Sequence, residues 1–111
     1  MKSYTDLNQS KRLAEILPTE SADMYWEYDF TKHECTLKIM DEQFDDTCIR
    51  AWSLAALFDV LPKIINNETL FIETSASLWH VGYRNIYTAR ADNPVDACYE
   101  MIIKLHEQNI L

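Results

Sequence analysis

Three stretches of the chain place apolar residues at helical intervals, and each follows a residue type that commonly caps helices. Asp6 and Gln9 have the spacing of a capping box, and the first helix should end before Pro18, because proline disfavours helical backbone at the preceding residue. Ser53 is a good N-cap for a second helix, which Pro62 should end or kink. The apolar positions of this second helix are Leu54, Leu57, Phe58, Leu61 and Ile65.

The third helix has the clearest start signal in the chain. Asn93 suits the N-cap, Pro94 suits the first helical position, and Asp96 lies near the positive end of the helix dipole. The helix should run to about Gln108. Its apolar stripe comprises Val95, Cys98, Met101, Ile102 and Leu105.

Between the helices, apolar and polar residues alternate with a period close to two, which is typical of strands. One or two strands are predicted between Met24 and Met40. Two more are predicted at Thr69–Thr74 and Leu78–Arg84, and a short third one at Ile86–Arg90. Loops or turns are predicted at Asp41–Asp46, Asn66-Asn67 and Ser75–Ser77.

This order of elements favours an α+β fold over repeated βαβ units. We expect a small antiparallel β-sheet with about three helices packed mainly on one face. No repeat, low-complexity tract or linker divides the 111 residues, so residues 1–111 are predicted to form a single domain. With 48% apolar residues, this domain should build a core without disulfides or a structural metal.

The chain contains one glycine, Gly82, where ordinary usage would give roughly eight. Phosphate-binding loops of the Walker and dinucleotide types need several glycines close together, so these nucleotide sites are excluded. Glycine inside a strand often marks a close approach of another backbone or ring. We therefore predict a packing role for Gly82, making room for Trp52 or Trp79.

The formal net charge is −8, and most of it lies in one segment. Between Thr19 and Cys48, nine acidic residues and two lysines give a charge of −7. Such a surface repels phosphate backbones and anionic lipid, so direct nucleic-acid or membrane binding is disfavoured. Aromatic residues interleaved with these acids could anchor a protein partner. The candidate interaction residues are Tyr25, Trp26, Tyr28, Asp41, Glu42, Phe44, Asp45 and Asp46.

Three functional interpretations remain open. The first is a non-enzymatic interaction or regulatory module that uses this acidic and aromatic segment on another protein or as a homodimer. The second is an acidic decoy that imitates nucleic acid and occupies the basic cleft of a DNA- or RNA-binding protein. A third and weaker one is an enzyme with an unrecognised site. Alternatively, the aromatic side chains simply pack inward while the acids solvate the outer face of an ordinary strand.

Residues that could support metal or acid–base chemistry are few and widely spaced. The best metal-ligand combination is His80 with Cys98 and His106, although a buried thiol and two unrelated histidines explain it more simply. Adjacent His33 and Glu34 point to opposite faces of a strand, and His80 near Arg84 has no recognised catalytic spacing. No catalytic residue, metal site or cofactor is therefore predicted. The three cysteines are far apart and form no C-x-x-C pair, which argues against disulfides and redox motifs.

The polar stretch Met1–Ser10 has no apolar region of the signal-peptide type. No later run of apolar residues approaches the length that crosses a bilayer. We therefore expect a soluble, cytoplasmic protein.

Four segments carry a family resemblance: Glu20–Met24, Trp52–Leu57 with Leu61-Pro62-Lys63, Trp79–Arg84 and Asp92–Ile103. Over about residues 7–108, the chain resembles a family of small uncharacterised proteins of Bacteroides-type gut bacteria, their phages and mobile elements. This resemblance implies a cytoplasmic accessory protein of phage or mobile-element origin, and it implies no activity. The second half is also similar in topology to double-stranded-RNA-binding domains, which place basic residues where this chain has Asp96 and Glu100. RNA binding in that mode is disfavoured.

Overall fold

The computed structural model describes all 111 residues and has an α+β fold, as predicted. The helices are α1 (Leu7–Ala14), α2 (Leu54–Val60) and α3 (Pro94–Glu107), with a 3-10 turn at Thr19–Ser21. The strands are β1 (Met24–Asp29), β2 (Glu34–Ile39), β3 (Ile49–Ala51), β4 (Ile64–Ile65), β5 (Glu68–Ser75), β6 (Leu78–Tyr83) and β7 (Tyr87–Ala91).

Side-chain caps fix the start of each helix where the sequence predicts it. Asp6 and Gln9 form a reciprocal capping box, with the Gln9 N–H donating to Asp6 Oδ1 at 2.8 Å. The side chains of Ser53 and Asn93 each accept from the backbone N–H three residues further on. All three predicted N-caps are therefore confirmed.

The second helix is shorter than its apolar spacing predicts. Leu61 has an extended backbone with ψ of 131°, because it precedes Pro62. The chain then turns into β4, where Ile65 pairs with Glu68. Placing Ile65 on the helix was therefore wrong, since the i+11 spacing continues past a residue that proline keeps out of the helix.

The strands form two antiparallel sheets instead of the single sheet that was expected. The first sheet has the order β2-β1-β3, and the second has the order β4-β5-β6-β7. Strands β3 and β4 contain only three and two residues, too few to show a period of two. No strand of one sheet pairs with a strand of the other, and alternation along the sequence does not indicate which strands pair.

The hydrophobic core lies between the helices and one face of the second sheet. Strand β6 turns Trp79, Val81 and Tyr83 toward helix α3, as the alternation predicts. The opposite face of this sheet carries no helix, and there Arg84 lies 4.6 Å from the centre of the Phe71 ring. The largest fully buried side chains of the core include Trp52, Tyr83, Leu57, Leu61, Met101, Ile102 and Leu105.

Two hairpins of the second sheet turn through only two residues. Asn66 and Asn67 join β4 to β5 with φ of 49° and 69°, and Ala76 and Ser77 join β5 to β6 with φ of 53° and 67°. Two successive positive φ values are the geometry of the type I′ turn, which matches the twist of the flanking strands. The predicted turn at Asn66-Asn67 is confirmed, and the second turn lies inside the predicted Ser75–Ser77 loop.

Gly82 lies in close contact with the backbone of β7. Its φ is negative, so the chain does not need glycine there for a left-handed conformation. A Cβ at this position would lie 2.2 Å from the Tyr87 carbonyl oxygen and 2.9 Å from Thr88 Cα. The packing role is confirmed, but the close neighbour is the backbone of β7 and not the ring of Trp52 or Trp79.

The segment before α1 links the first sheet to helix α3. The Thr5 N–H donates to the Trp52 carbonyl at 2.9 Å, and the Trp52 N–H donates to Thr5 Oγ1 at 3.0 Å. Lys2 Nζ, earlier in this segment, and Gln9 Nε2, in α1, donate to Asp96 Oδ1 at 2.9 and 2.8 Å. Asp96 therefore connects α3 to α1 and to the segment before it through hydrogen bonds.

Replacing this carboxylate should give a pH-dependent loss of stability. Burial acts to raise the pKa of Asp96, but hydrogen bonds from Lys2, Gln9 and Asn93 outweigh it and hold the pKa below its usual value of 3.8. A depressed folded-state pKa contributes stability above the unfolded value that is lost as the pH falls through the folded value. We expect Asp96→Asn to cost about 1 kcal/mol at pH 7.

Thermal unfolding from pH 7 to pH 2.5 checks this prediction. The difference in melting temperature between the native chain and Asp96→Asn should become smaller as the pH falls below about 4. Asp92→Asn removes a nearby exposed carboxylate and serves as the control. A difference in melting temperature that stays constant over the whole pH range would contradict the proposed contribution of the Asp96 charge to stability.

Candidate interaction surface on the first sheet

Strand register divides the side chains of the first sheet between two faces. Tyr25 pairs with Lys38 and Arg50, and the next residue, Trp26, pairs with Leu37 and Ile49. Paired residues share a face and successive residues alternate, so every side chain can be assigned. The apolar face comprises Met24, Trp26, Tyr28, Cys35, Leu37, Ile39, Ile49 and Ala51. The polar face comprises Tyr25, Glu27, Asp29, Glu34, Thr36, Lys38 and Arg50.

Tyr25 holds the acidic loop against the polar face. Its side chain is fully buried, and its hydroxyl donates to Asp41 Oδ1 at 2.8 Å. The Phe44 ring meets the Tyr25 ring edge-on, with their centres 5.5 Å apart. The hydrogen bond to Asp41, together with desolvation, raises the pKa of Tyr25 to about 12. Tyr25 and Phe44 therefore anchor the loop and leave no aromatic ring on this side for a partner.

Two of the four acidic residues in this loop shape its backbone. Asp41 Oδ1 also accepts from the Gln43 N–H at 2.9 Å, and Asp45 Oδ1 accepts from the Thr47 N–H at 2.8 Å. Hydrogen bonds from the Thr47 hydroxyl and N–H lower the pKa of Asp45. The exposed carboxylates of Glu42 and Asp46 make no hydrogen bond or ion pair.

Cations on the polar face are engaged within the chain. Lys38 Nζ lies 2.7 Å from Glu27 Oε1, and the shared hydrogen bond and charge raise the pKa of Lys38. Arg50 donates to the Ala14 carbonyl at 3.1 Å, which ties β3 to the end of α1. The polar face therefore carries no unpaired cation, and its acidic residues outnumber its cations.

The apolar face, in contrast, lies mostly outside the core, and helix α1 packs against this sheet mainly at the short strand β3. Seven of its eight side chains lie outside the core, and the eighth, Ala51, is fully buried. The Tyr4 ring meets the Trp26 ring edge-on at 6.1 Å, and the Trp26 indole N–H is buried without a hydrogen-bond partner. Ile39 is 75% exposed and Tyr28 is 41% exposed. A sheet face of this composition is normally buried against another layer.

The tip of the β1–β2 hairpin extends this apolar face. Beyond Trp26, strand β1 pairs with β2 alone, because β3 ends there. The Tyr28 and Phe30 rings meet edge-on at 4.8 Å, and Phe30 is 80% exposed. Two-stranded ribbons have little stability of their own, and large exposed aromatic rings are typical of binding surfaces.

The eight predicted interaction residues thus fall into two separate groups. Trp26 and Tyr28 lie on the apolar face. Tyr25 and the loop residues Asp41, Glu42, Phe44, Asp45 and Asp46 lie on or beside the polar face. The sequence interpretation did not single out Leu37, Ile39 or Ile49, which share this face with Trp26 and Tyr28 through strand pairing. The aromatic and acidic residues therefore do not form one continuous surface.

The candidate metal ligands are not brought together. His80 lies on the face of β6 that points away from α3, whereas Cys98 of α3 is buried in the core. Burial raises the pKa of the Cys98 thiol to about 12. His106 Nδ1 lies 2.9 Å from the Leu111 carbonyl oxygen. No group of three or more His, Cys, Asp or Glu side chains is arranged to hold a metal ion.

The longest helix, α3, has 14 residues, and no helix combines the length and apolar character needed to span a bilayer. Comparison with known proteins gives no match to a family model, to a curated protein or to a solved structure.

Proposed function

We propose that this protein is a non-enzymatic interaction module that binds a partner protein through the apolar face of the first sheet. The observation that carries the proposal is a group of seven apolar side chains outside the core, which share one sheet face with the buried Ala51. Covering apolar surface is favourable by about 25 cal/mol for each Å² removed from water. A partner that covers this face would also shield the exposed Phe30 ring from water.

Charge indicates the chemistry of the partner. The segment from Thr19 to Cys48 that contains most of this face carries a charge of −7. A partner with a basic surface complements this charge, and opposite charge accelerates the encounter. The partner is therefore expected to be a basic protein, or a protein with a basic patch.

The acidic decoy is the second candidate, and the free carboxylates of Glu42 and Asp46 favour it. However, Asp41 and Asp45 are committed to the structure of their own loop. The charges also lie on the side of the sheet opposite the exposed aromatic rings. These placements support an apolar interface with electrostatic assistance more than imitation of a phosphate backbone.

Site-specific photo-crosslinking in the cells that carry the gene tests the proposal and separates the two candidates. A photoreactive residue at Ile49 reports contacts of the apolar face, and one at Glu42 reports contacts of the acidic loop. We expect a covalent adduct from position 49 and none from position 42. An adduct from position 42 alone would indicate the decoy and contradict the proposal.

The captured partner is then purified and its binding is measured directly. We expect Ile39→Asp to weaken binding by tenfold or more, and Glu42→Gln to change it by less than threefold. Ile39 is 75% exposed, so its substitution should leave the melting temperature unchanged. An affinity that falls steeply with salt, and that Glu42→Gln impairs but Ile39→Asp does not, overturns the proposal.

A further inference from the structure

Strand β2 is an open edge of the first sheet, and its free backbone groups can be identified. The Met40 N–H donates to the Asp23 carbonyl at 3.0 Å, which makes these two residues a hydrogen-bonded pair. Hydrogen-bonded pairs alternate along an antiparallel ladder. Cys35, Leu37 and Ile39 therefore direct their N–H and C=O groups away from β1, toward the open edge.

Nothing in the chain blocks this edge. All six residues of β2 pair regularly with β1, and the strand contains neither proline nor a bulge. No side chain or loop backbone hydrogen-bonds to the outward groups of Cys35, Leu37 or Ile39. Open edges of this kind are templates for pairing with another strand.

The sequence of β2 is complementary to itself about Thr36. When two copies pair antiparallel with Thr36 opposite Thr36, Glu34 of each copy lies opposite Lys38 of the other. Cys35 then lies opposite Leu37 on the apolar face, and both have outward-directed backbone groups, as the ladder requires. This register places opposite charges across the junction at two symmetry-related positions.

The alternative symmetric register, centred on Leu37, lacks these ion pairs. It would place Thr36 opposite Lys38, and Glu34 opposite Met40. A one-residue change of centre thus removes both charge pairs, so the charges of β2 specify the register. Lys38 Nζ already lies 2.7 Å from Glu27 Oε1. Its ammonium group has donors left for a second carboxylate.

We infer that two copies of this chain associate through their β2 edges to form one continuous six-stranded sheet. The occupant of the edge is a second copy, because Glu34 and Lys38 complement each other only across a two-fold axis. Repulsion between the two acidic chains is screened beyond about 8 Å at physiological ionic strength. The apolar faces of the two copies join into one surface twice as wide, which stays open to the partner proposed above.

Cysteine cross-linking tests the register. In a chain with Cys35→Ala and Cys48→Ala, Thr36→Cys would place two thiols at the two-fold axis, in a non-hydrogen-bonded pair. The Cα atoms of such a pair are about 4.5 Å apart, within the range that disulfides bridge. With oxidised glutathione, we expect Thr36→Cys to form covalent dimers at least tenfold faster than Leu37→Cys or the exposed control Thr74→Cys. Faster cross-linking of Leu37→Cys overturns this register, and a rate at Thr36→Cys no higher than at Thr74→Cys overturns the association.

A charge-reversal experiment tests the same inference without a covalent bond. Glu34→Lys places lysine opposite lysine in its own dimer, and Lys38→Glu places glutamate opposite glutamate. A mixture of the two variants pairs lysine with glutamate at both positions. By sedimentation equilibrium, we expect each variant alone to dimerise at least tenfold more weakly than the native chain, whereas the mixture should regain native association.

A matched pair of variants controls for overall charge and folding. Glu107→Lys and Lys11→Glu change the net charge equally, at exposed positions outside β2, and they should dimerise as the native chain does, alone or mixed. A native chain that stays at 13.0 kDa up to millimolar concentration overturns the inference. So does a mixture of the β2 variants that associates no better than each variant alone. The partner-binding proposal would survive either result, because the apolar face does not depend on the edge.

Discussion

Replacing Gly82 with alanine is expected to lower the midpoint of thermal unfolding by about 10–20 °C. The added Cβ would lie 2.2 Å from the Tyr87 carbonyl oxygen and 2.9 Å from Thr88 Cα, so β7 must move away from β6. Strand β7 packs against α3, and its displacement disturbs the core as well as the ladder. Overpacking of this severity costs about 2–4 kcal/mol, and each kcal/mol shifts the midpoint by about 5 °C in a domain of this size. Gly82→Val should lower the unfolding midpoint further than Gly82→Ala does.

The obstruction at Gly82 is backbone, which gives this prediction a specific control. Truncating the neighbouring side chain in Gly82→Ala/Thr88→Gly should not restore stability, because the carbonyl and Cα atoms remain. Differential scanning calorimetry of both variants and of Thr88→Ala, which removes only exposed side-chain atoms, would measure this. If the double variant regained the native unfolding midpoint, the obstruction at Gly82 would be a side chain and not the backbone of β7.

Changing Ala76-Ser77 to Asn-Gly should stabilise the protein by about 1–2 kcal/mol, or roughly 5–10 °C. Both residues have positive φ, and the Cβ of alanine or serine opposes this left-handed conformation. Asparagine followed by glycine is the preferred pair for a type I′ turn. Both side chains are exposed, so the replacement disturbs no packing.

The neighbouring hairpin provides the matched comparison for this turn. Asn66 and Asn67 have the same geometry, but asparagine tolerates left-handed backbone, so Asn67→Gly should add only a few tenths of a kcal/mol. Chemical denaturation of the two variants beside the native chain would compare the gains. Equal gains at both turns would contradict the assignment of strain to Ala76 and Ser77.

Local chemistry made the helices predictable from the sequence. The caps at Asp6, Ser53 and Asn93 act through hydrogen bonds that span three residues, and all three appear where the sequence places them. Ile65 was misplaced because apolar spacing carries no information on where the backbone stops being helical. The residue before Pro62 carries that information, and it ends the helix.

Sheet assembly was less predictable, because pairing depends on contacts between distant residues. The pairing of Trp26 with Ile49 joins strands more than twenty residues apart, and no periodic pattern indicates it. Alternation alone does place Tyr25 and Trp26 on opposite faces of the sheet. Which face remains uncovered depends on where the helices pack, and the open edge of β2 depends on the strand order.

The role of the glycine also shows what composition can and cannot indicate. Seven non-glycine residues have positive φ, four of them asparagine, while the one glycine has a negative φ. Scarcity of glycine correctly predicted a packing role for Gly82. It could not identify β7 as the neighbour, because that contact exists only once β6 and β7 are paired.

The bond between Lys2 and Asp96 has a consequence for the order of folding during synthesis. The two residues are 94 positions apart, so Lys2 is synthesised well before Asp96. At roughly 5–20 residues per second, a ribosome needs about 5–20 s to span that distance. Until then, the hydrogen bonds that connect α1 to α3 cannot form. Strands β1 and β2 are both synthesised much earlier than α3. Their hairpin is therefore expected to form on the nascent chain, and to be accessible to other proteins, before α3 is complete.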